Sequence, residues 1–160
     1  MALHKLLVDD FYDDTYSLFG IHCNIEDYRL AYLLNRFLKI DLKRNEKDLD
    51  FKYVTASYAI FEWEDKQHHL TWNLVSNICK VEESTLTSSG SLFHNESKII
   101  KTHNLIPEFK NVNYLLKVEN DGRPVNEKPI LNQLHTVPQI ITAYTIDADE
   151  LKSRENLIFK

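Results

Sequence analysis

The sequence predicts an α+β domain: a mainly antiparallel sheet with one long N-terminal helix, over about residues 25–40, and one or two short C-terminal helices packed on it. Three patterns predict this fold. Apolar residues recur at helical spacing over residues 25–40, two alternating runs flank residues 66–67, and a short helix precedes a last alternating run. The chain has 160 residues, 43% of them hydrophobic, and no repeat or linker, so we expect one domain over residues 1–160.

The first segment is typical of a hairpin. Residues 5–9 are apolar and strand-like, residues 10–14 are turn-forming, and residues 15–22 are rich in residue types that favour strands. The acidic turn could chelate a hard cation, but aspartate in a turn bonds its own backbone as readily, and we favour the turn. Its four carboxylates belong to Asp9, Asp10, Asp13 and Asp14.

The helix prediction depends on a cap and an apolar stripe. Asn24 stands where an N-cap is expected, and Glu26 and Asp27 follow in the first turn, where the helix dipole favours acids. The stripe is more typical of a helix that faces a core than of a partner groove. It consists of Leu30, Leu33, Leu34, Phe37 and Leu38. Residues 41–52 carry charges of both signs and are expected to form a solvated connection.

Residues 58–65 and 68–79 alternate in polarity and predict a second hairpin. If Lys66 and Gln67 are its central turn residues, Phe61 faces Trp72 on the buried side. The same register pairs Trp63 with Leu70 and Ala59 with Leu74, and turns Glu62, Glu64, His69, Thr71 and Asn73 to the other side. Both strands place their apolar residues on one face in a single register, which supports the hairpin.

The second half of the chain alternates loops with short elements. Residues 82–91 are expected to form a loop, residues 92–93 and 99–100 short strands, and residues 114–119 a longer one. A turn is expected at residues 120–122, which read Asn-Asp-Gly.

The last elements are a helix, a strand and a cap. Pro129 suits the first position of a short helix that runs to Val137 and buries Ile130, Leu131 and Leu134. The final strand, residues 139–146, is expected to turn Ile140, Thr142, Tyr144 and Ile146 to one face. Asp147 and Glu150 then have capping-box spacing.

Charge and glycine content exclude several classes of protein. A net charge of −5 argues against a protein that binds duplex nucleic acid, which normally carries a basic surplus. The three glycines, Gly20, Gly90 and Gly122, are too far apart to share a short motif. The dinucleotide fingerprint, the Walker A loop and the G-x-S-x-G nucleophile elbow are therefore missing from the sequence.

The compartment predicted from the sequence is the cytoplasm. The first ten residues lack the long apolar run of a secretory signal, and no run is long enough to span a bilayer, so we expect no membrane association. The two cysteines, Cys23 and Cys79, are too few for a disulfide framework and form no C-x-x-C pair. We expect both thiols to be free and to serve packing.

No residue pattern predicts a catalytic, metal or cofactor site. The seven histidines lack H-E-x-x-H spacing, and adjacent residues such as His68 and His69 point to opposite faces of a strand. His94 and His103 could still meet in space. Glu62 and Glu64 could act as acid and base in a cleft, but on a solvent face we favour ordinary surface charge.

One nine-residue segment resembles a known family. Residues 106–114 read Ile-Pro-Glu-Phe-Lys-Asn-Val-Asn-Tyr, which closely resembles the signature of the IPExxxVDY family of bacterial proteins. Residues 27–35 and 151–159 also resemble that family, so the likeness covers essentially the whole chain. The resemblance implies a bacterial cytoplasmic protein, and it implies no particular activity, cofactor or catalytic residue.

The signature residues favour a structural role over a ligand site. Asn113 stands where the family name has aspartate, and an amide cannot titrate, so we expect its oxygen to bond the backbone where the loop enters a strand. Pro107 fixes φ and biases Ile106 to extended geometry. Glu108 could accept backbone N–H bonds or pair with an arginine, namely Arg29, Arg36 or Arg123. The complete set is Ile106, Pro107, Glu108, Val112, Asn113 and Tyr114.

Two functional hypotheses follow. The first is a non-enzymatic domain that acts through protein contacts, including contacts with itself as a homodimer, because catalytic motifs are missing, aromatics are many and sheet edges need covering. The second is a small-molecule-binding protein or enzyme whose pocket gathers distant residues such as Glu108, His94 and His103. A closed pocket with convergent polar groups would favour the second hypothesis, and an exposed apolar patch the first.

Overall fold

A computed structural model describes residues 15–51, 56–84 and 98–159. Its central element is a six-stranded sheet in which every neighbouring pair is antiparallel. Its strands are β1 (Tyr16–Cys23), β2 (Lys43–Arg44), β5 (Ile60–Asp65), β6 (Leu70–Ser76), β9 (Tyr114–Glu119) and β10 (Ile140–Ile146). Across the sheet they follow the order β10-β1-β9-β6-β5-β2.

Two further pairs of strands lie outside this sheet. One joins β3 (Leu49–Asp50) to β4 (Ser57–Tyr58), and the other joins β7 (Ile78–Ser84) to β8 (Lys98–Asn104). The loop expected over residues 82–91 is wrong for residues 82–84, which belong to β7 and end at Ser84 opposite Lys98; the rest of that prediction lies outside the described residues. Short strands also interrupt the connection expected over residues 41–52. The predictions for residues 5–14 and 92–94 lie outside the described residues.

The structure confirms the α+β class with a mainly antiparallel sheet and two helices, but not one dominant N-terminal helix. The first helix, α1 (Asp27–Leu38), has twelve residues, and the second, α2 (Glu127–Thr136), has ten. The N-cap of α1 is Glu26, not Asn24, since the Glu26 carbonyl accepts the first helical bond, from Leu30 N–H at 3.0 Å. At the other end Lys39 has a φ of 58°, which stops the helix before residue 40.

The helix α2 begins two residues before the predicted start, so that Pro129 is its third residue. A proline is tolerated there because the N–H groups of a first helical turn have no partner within the helix. Ile130 and Leu134 are buried, and Leu131 is partly buried against the same core, as the spacing predicts.

The hairpin of β5 and β6 has the predicted buried face but a different register. Phe61 pairs with Leu74, and Trp63 pairs with Trp72, which is a shift of two residues. The loop has four residues because Asp65 Oδ1 accepts the N–H groups of Gln67 and His68, at 3.1 and 3.3 Å. A shift of two keeps each side chain on its own face, so Phe61 and Trp72 still share one core.

The prediction that Ile140, Thr142, Tyr144 and Ile146 share one face is wrong. The β1–β10 register slips between His22 and Cys23, which pair with Thr142 and Ile140 and leave Ile141 without a partner on β1. This bulge moves Ile140 to the side of Ala143, whereas Tyr144 and Ile146 lie on the other side of the sheet. A bulge is not visible in the alternation of a single strand.

The sheet has two covered faces. Both helices cover one face, where Phe19, Leu74 and Leu116 are completely buried with Leu34 of α1 and Leu134 of α2. We call this side the helix face. The other side, which we call the loop face, is covered by the small β3–β4 sheet and by irregular chain near residues 105–112 and 148–159. The signature residues that are buried lie mainly there.

Candidate functional site

The signature residues, for which the sequence favours a structural role, lie in the connection between β8 and β9 and at the start of β9. Residues 106–114, called the signature segment below, start extended at Ile106, form a 3-10 turn over Pro107–Phe109, and enter β9 at Tyr114. Ile106 and Val112 are completely buried in the loop-face core. A Cβ at Gly20 would lie 3.2 Å from a Val112 methyl group, so the glycine lets the segment approach β1 closely.

Asn77, between β6 and β7, organises the signature segment from beneath. Its side chain is completely buried: Oδ1 accepts the Ile106 N–H at 2.8 Å, and Nδ2 donates to the carbonyls of Phe109 and Val112 at 2.9 Å each. Its main chain also bonds, since its N–H donates to the Asn113 carbonyl at 2.9 Å. An irregular buried segment leaves backbone groups without ladder partners, and this one amide satisfies three of them.

Asn113 ties the segment to the end of β1. Its Oδ1 accepts the Cys23 N–H at 3.1 Å, and its own N–H donates to the Ile21 carbonyl at 3.1 Å. This is the side-chain bond to backbone expected from the sequence. The next residue, Tyr114, donates its hydroxyl to the Ile25 carbonyl at 2.7 Å, and burial raises the pKa of that hydroxyl. Both residues therefore hold the turn before α1.

Glu108 binds the C-terminal segment. Its Oε2 accepts the Ser153 hydroxyl at 2.5 Å, and its Oε1 accepts the Ser153 N–H at 3.1 Å. These hydrogen bonds, chiefly the one from the hydroxyl, hold the pKa of Glu108 below its ordinary value. Of the two partners expected from the sequence, the described residues show the backbone N–H and not an arginine.

A buried lysine fixes the same C-terminal segment farther along. Lys117 on β9 is only 5% exposed, and its ammonium donates to the Leu157 carbonyl at 2.8 Å and pairs with Glu119 at 2.5 Å. The rings of Tyr16 and Phe159 lie 4.6 and 5.1 Å from the nitrogen. Carboxylate, carbonyl and ring faces together replace the water that an ammonium loses on burial.

One apolar groove adjoins the signature segment. It has a volume of about 490 Å³ and is bordered by Pro107, Leu105, His103 and the rings of Phe51 and Tyr58, which meet edge to face. The structure thus brings His103 and Pro107 together, while Glu108 is engaged with Ser153. His94, the other histidine proposed for a pocket, lies outside the described residues. Of the two members of that set that the structure describes, Glu108 and His103, only His103 lines the groove.

The other candidate residues have ordinary partners. Glu62 accepts from Asn73 Nδ2 at 3.0 Å on an exposed stretch of β5, and His68 bonds Asp65 at 2.7 Å in the hairpin loop. Both cysteines are free, and burial raises the pKa of the Cys23 thiol, which makes it less nucleophilic. Within residues 15–51, 56–84 and 98–159, no three His, Cys, Asp or Glu side chains are grouped to hold a metal ion.

Asn77 and Lys117 were not among the residues singled out in the sequence. Each leaves a weak signal, because Asn77 interrupts an apolar strand and Lys117 shares a predicted strand face with Leu115. A polar residue at an inward position needs a buried partner, but its spacing does not identify that partner. The backbone groups that these two side chains bond lie 29 to 40 positions away along the chain.

No family model, curated protein or solved structure matches the chain. Among the described residues, no helix combines the length and the apolar character required to cross a bilayer.

Proposed function

We propose that this chain is a non-enzymatic domain that acts through protein contacts, including contacts between copies of itself. The observation that carries the proposal is that the polar groups of the signature segment bond to other parts of the same chain. Asn113, Tyr114 and Glu108 are bonded to other parts of the same chain, and so are the backbone groups around them. A site that bound a ligand would hold polar groups free to converge on it.

Apolar exposure supports the same proposal. Three isoleucines on strands outside the centre of the main sheet are strongly exposed: Ile99 and Ile100 on β8, and Ile141 on β10, the last at 68%. Single exposed apolar residues are common, but a strand that also has an unpaired side offers both apolar surface and free backbone groups. Protein contacts would cover both.

The resemblance of the signature supports placing this domain in the bacterial cytoplasm. We propose no cofactor, no metal, no nucleic acid and no membrane as partners, in line with the acidic charge and the motifs that the sequence lacks.

The groove beside Pro107 favours a second candidate, a small-molecule-binding protein or enzyme. Its aromatic and apolar lining, with His103 as a polar group, suits a small ligand with an apolar body. The groove is open, and the charged signature residue nearest to it, Glu108, is bonded elsewhere. For these reasons we rank this candidate second.

Native mass spectrometry of the freshly purified full chain tests the two candidates together. We expect complexes of the chain with protein, itself included, and no small molecule or metal retained at one per chain. A retained small molecule that is lost in Thr102→Trp, which fills the groove, and kept in Thr136→Trp, at the exposed C-terminal end of α2, would favour the second candidate.

A further inference from the structure

We infer that the exposed surface of α1 binds an acidic segment of a partner protein. The inference rests on the proposed function and deepens it by naming the chemistry of the partner and the surface that receives it. That surface consists of Tyr28, Arg29, Tyr32 and Arg36, and we call it the α1 patch. Three observations carry the inference: the exposure of its rings, the sign of its charge and the availability of its basic groups.

The two tyrosines of the α1 patch are exposed, although the other side of the helix is well buried. Tyr28 is 61% exposed and Tyr32 is 64% exposed, and one helical turn separates them, so their rings cover adjacent surface. The core contacts of α1 are made by its leucines, of which Leu30 and Leu34 are completely buried. The fold therefore does not need the rings. Tyrosine and arginine are enriched where proteins contact one another most strongly.

The charge of α1 is opposite in sign to that of the whole chain. Residues 28–39 carry three basic side chains, those of Arg29, Arg36 and Lys39, and no acidic one, whereas the chain has a net charge of −5. All three basic residues are exposed. On the helix surface Arg29 and Arg36 lie on either side of Tyr32, three residues before it and four after it. A ring between two cations is complementary to an apolar side chain between two carboxylates.

The basic groups of the α1 patch are available to a partner. Arg29 pairs with Glu26 at 3.4 Å, and both side chains are 56% exposed, so this ion pair is weak and a carboxylate of a partner can replace it. Among the described residues, no carboxylate pairs with Arg36. A guanidinium forms two parallel hydrogen bonds to one carboxylate, which favours aspartate or glutamate as the partner of each arginine.

The dimensions of the α1 patch suit a short segment. Arg29 and Arg36 are separated by about 10 Å along the helix axis, at 1.5 Å per residue. An extended segment advances about 3.3 Å per residue. Two carboxylates three residues apart on such a segment can therefore reach both arginines, and an apolar side chain between them then lies on Tyr32.

Nucleic acid fits the α1 patch less well than an acidic peptide does. A nucleic acid strand carries a phosphate at every nucleotide and follows a basic surface along its length. Here the basic surface ends at Glu26 and Asp27, at the start of the helix, and these carboxylates repel a continuing chain of phosphates. A short acidic segment can end before it reaches them.

Selection of peptides from a random library displayed on phage, with the full chain as target, tests the inference. We expect the selected peptides to be enriched, relative to the unselected library, in aspartate and glutamate around an apolar residue. The most enriched peptide is then synthesised with a fluorescent label, and its binding is measured by anisotropy. Its dissociation constant should rise at least about tenfold in Tyr32→Ala and in Arg36→Ala. Tyr32→Phe keeps the ring and should bind nearly as tightly as the parent chain.

Two variants outside the α1 patch serve as matched controls. Ile141→Ala removes an exposed apolar side chain from β10, and Lys128→Ala removes an exposed basic side chain from α2. Both should leave the dissociation constant unchanged. Circular dichroism checks that every variant is folded, as expected for replacements of exposed side chains.

Three results would overturn the inference. The first is a selection that enriches no peptide, or peptides without an excess of acidic residues. The second is a selected peptide that binds Tyr32→Ala and Arg36→Ala as tightly as it binds the parent chain. The third is a single-stranded oligouridine that binds the parent chain and not these two variants, which would assign the α1 patch to nucleic acid.

Failure of this inference is distinguishable from failure of the proposed function. If light scattering shows a dimer of the parent chain that dissociates in Tyr32→Ala, a second copy covers the α1 patch. The inference then fails, and the proposed function stands. A monomer that enriches no peptide and retains one small molecule per chain in native mass spectrometry contradicts both.

Discussion

The two faces of the main sheet are stabilised in different ways. On the helix face, Leu30 and Leu34 of α1 and Leu134 of α2 are completely buried against the strands, and the helices satisfy their own backbone groups. On the loop face, irregular chain covers the sheet and is bonded through side chains such as those of Asn77 and Lys117.

The difference shows why the signature is rich in polar contacts. Burial of apolar area is enough to fix a helix, whose backbone is already paired. A segment without regular structure must find a partner for each buried N–H and carbonyl group, and side chains at defined places supply them. The signature segment is therefore explained as a covering element of the loop face.

The largest effect is expected on the helix face. Phe19 is completely buried between β9, β10 and the helices, so Phe19→Ala should lower the free energy of unfolding by about 3–5 kcal/mol through lost burial and a cavity. Urea unfolding measures this. Tyr28→Ala, on the exposed side of α1, serves as control and should cost less than about 0.5 kcal/mol. A loss below about 1 kcal/mol for Phe19→Ala would contradict this description of the core.

On the loop face, a large loss in the free energy of unfolding should follow from replacing a polar residue. Asn77→Ala leaves the Ile106 N–H and the carbonyls of Phe109 and Val112 without their buried partner, and should cost about 3 kcal/mol. Asn73→Ala is the matched control, because Asn73 is also buried but its side chain bonds, among the described residues, the exposed Glu62 side chain and no backbone group. Equal losses in the two variants, measured by urea unfolding, would argue against the role assigned to Asn77.

A smaller effect on stability should appear as the pH is lowered. The Ser153 hydroxyl holds the pKa of Glu108 below its ordinary 4.5, so the carboxylate stabilises the fold fully above that pH and loses this effect as the pH falls through the folded-state pKa. The melting temperature of Ser153→Ala should therefore lie below that of the parent chain at neutral pH, and the two should converge as the pH falls through the folded-state pKa of Glu108. A melting-temperature difference that does not change with pH would show that Ser153 stabilises the fold independently of the charge on Glu108.

The sequence predicts the bounds and buried faces of regular helices and strands well. The β9 strand, Tyr114–Glu119, has the predicted bounds, and the apolar stripe of α1 faces the core as expected. For the β5–β6 hairpin, the sequence predicts the correct buried face but the wrong register. The two strands are joined by a four-residue loop that Asp65 stabilises, and not by the predicted two-residue turn. Faces depend on alternation, which is local, whereas register depends on how one turn closes.

The site was predictable only in part, for the same reason. The backbone bond of Asn113 follows from the chemistry of an amide where a loop enters a strand. The position of Asn77 beneath a segment about thirty residues away could not be predicted from the sequence. It depends on the pairing of β7 with β8, which brings the signature segment back to Asn77. The bulge in β10 is likewise a property of two strands together.

If the signature segment is structural, three versions of residue 113 should show it. Asn113→Asp keeps the acceptor for Cys23 N–H and should change the free energy of unfolding by less than about 0.5 kcal/mol, while Asn113→Ala should cost about 0.5–1.5 kcal/mol. Urea unfolding of the three proteins, with native mass spectrometry of each, decides the matter. Equal stability of the asparagine and alanine versions, with metal or ligand bound only by the aspartate version, would make the signature a binding site and contradict the account.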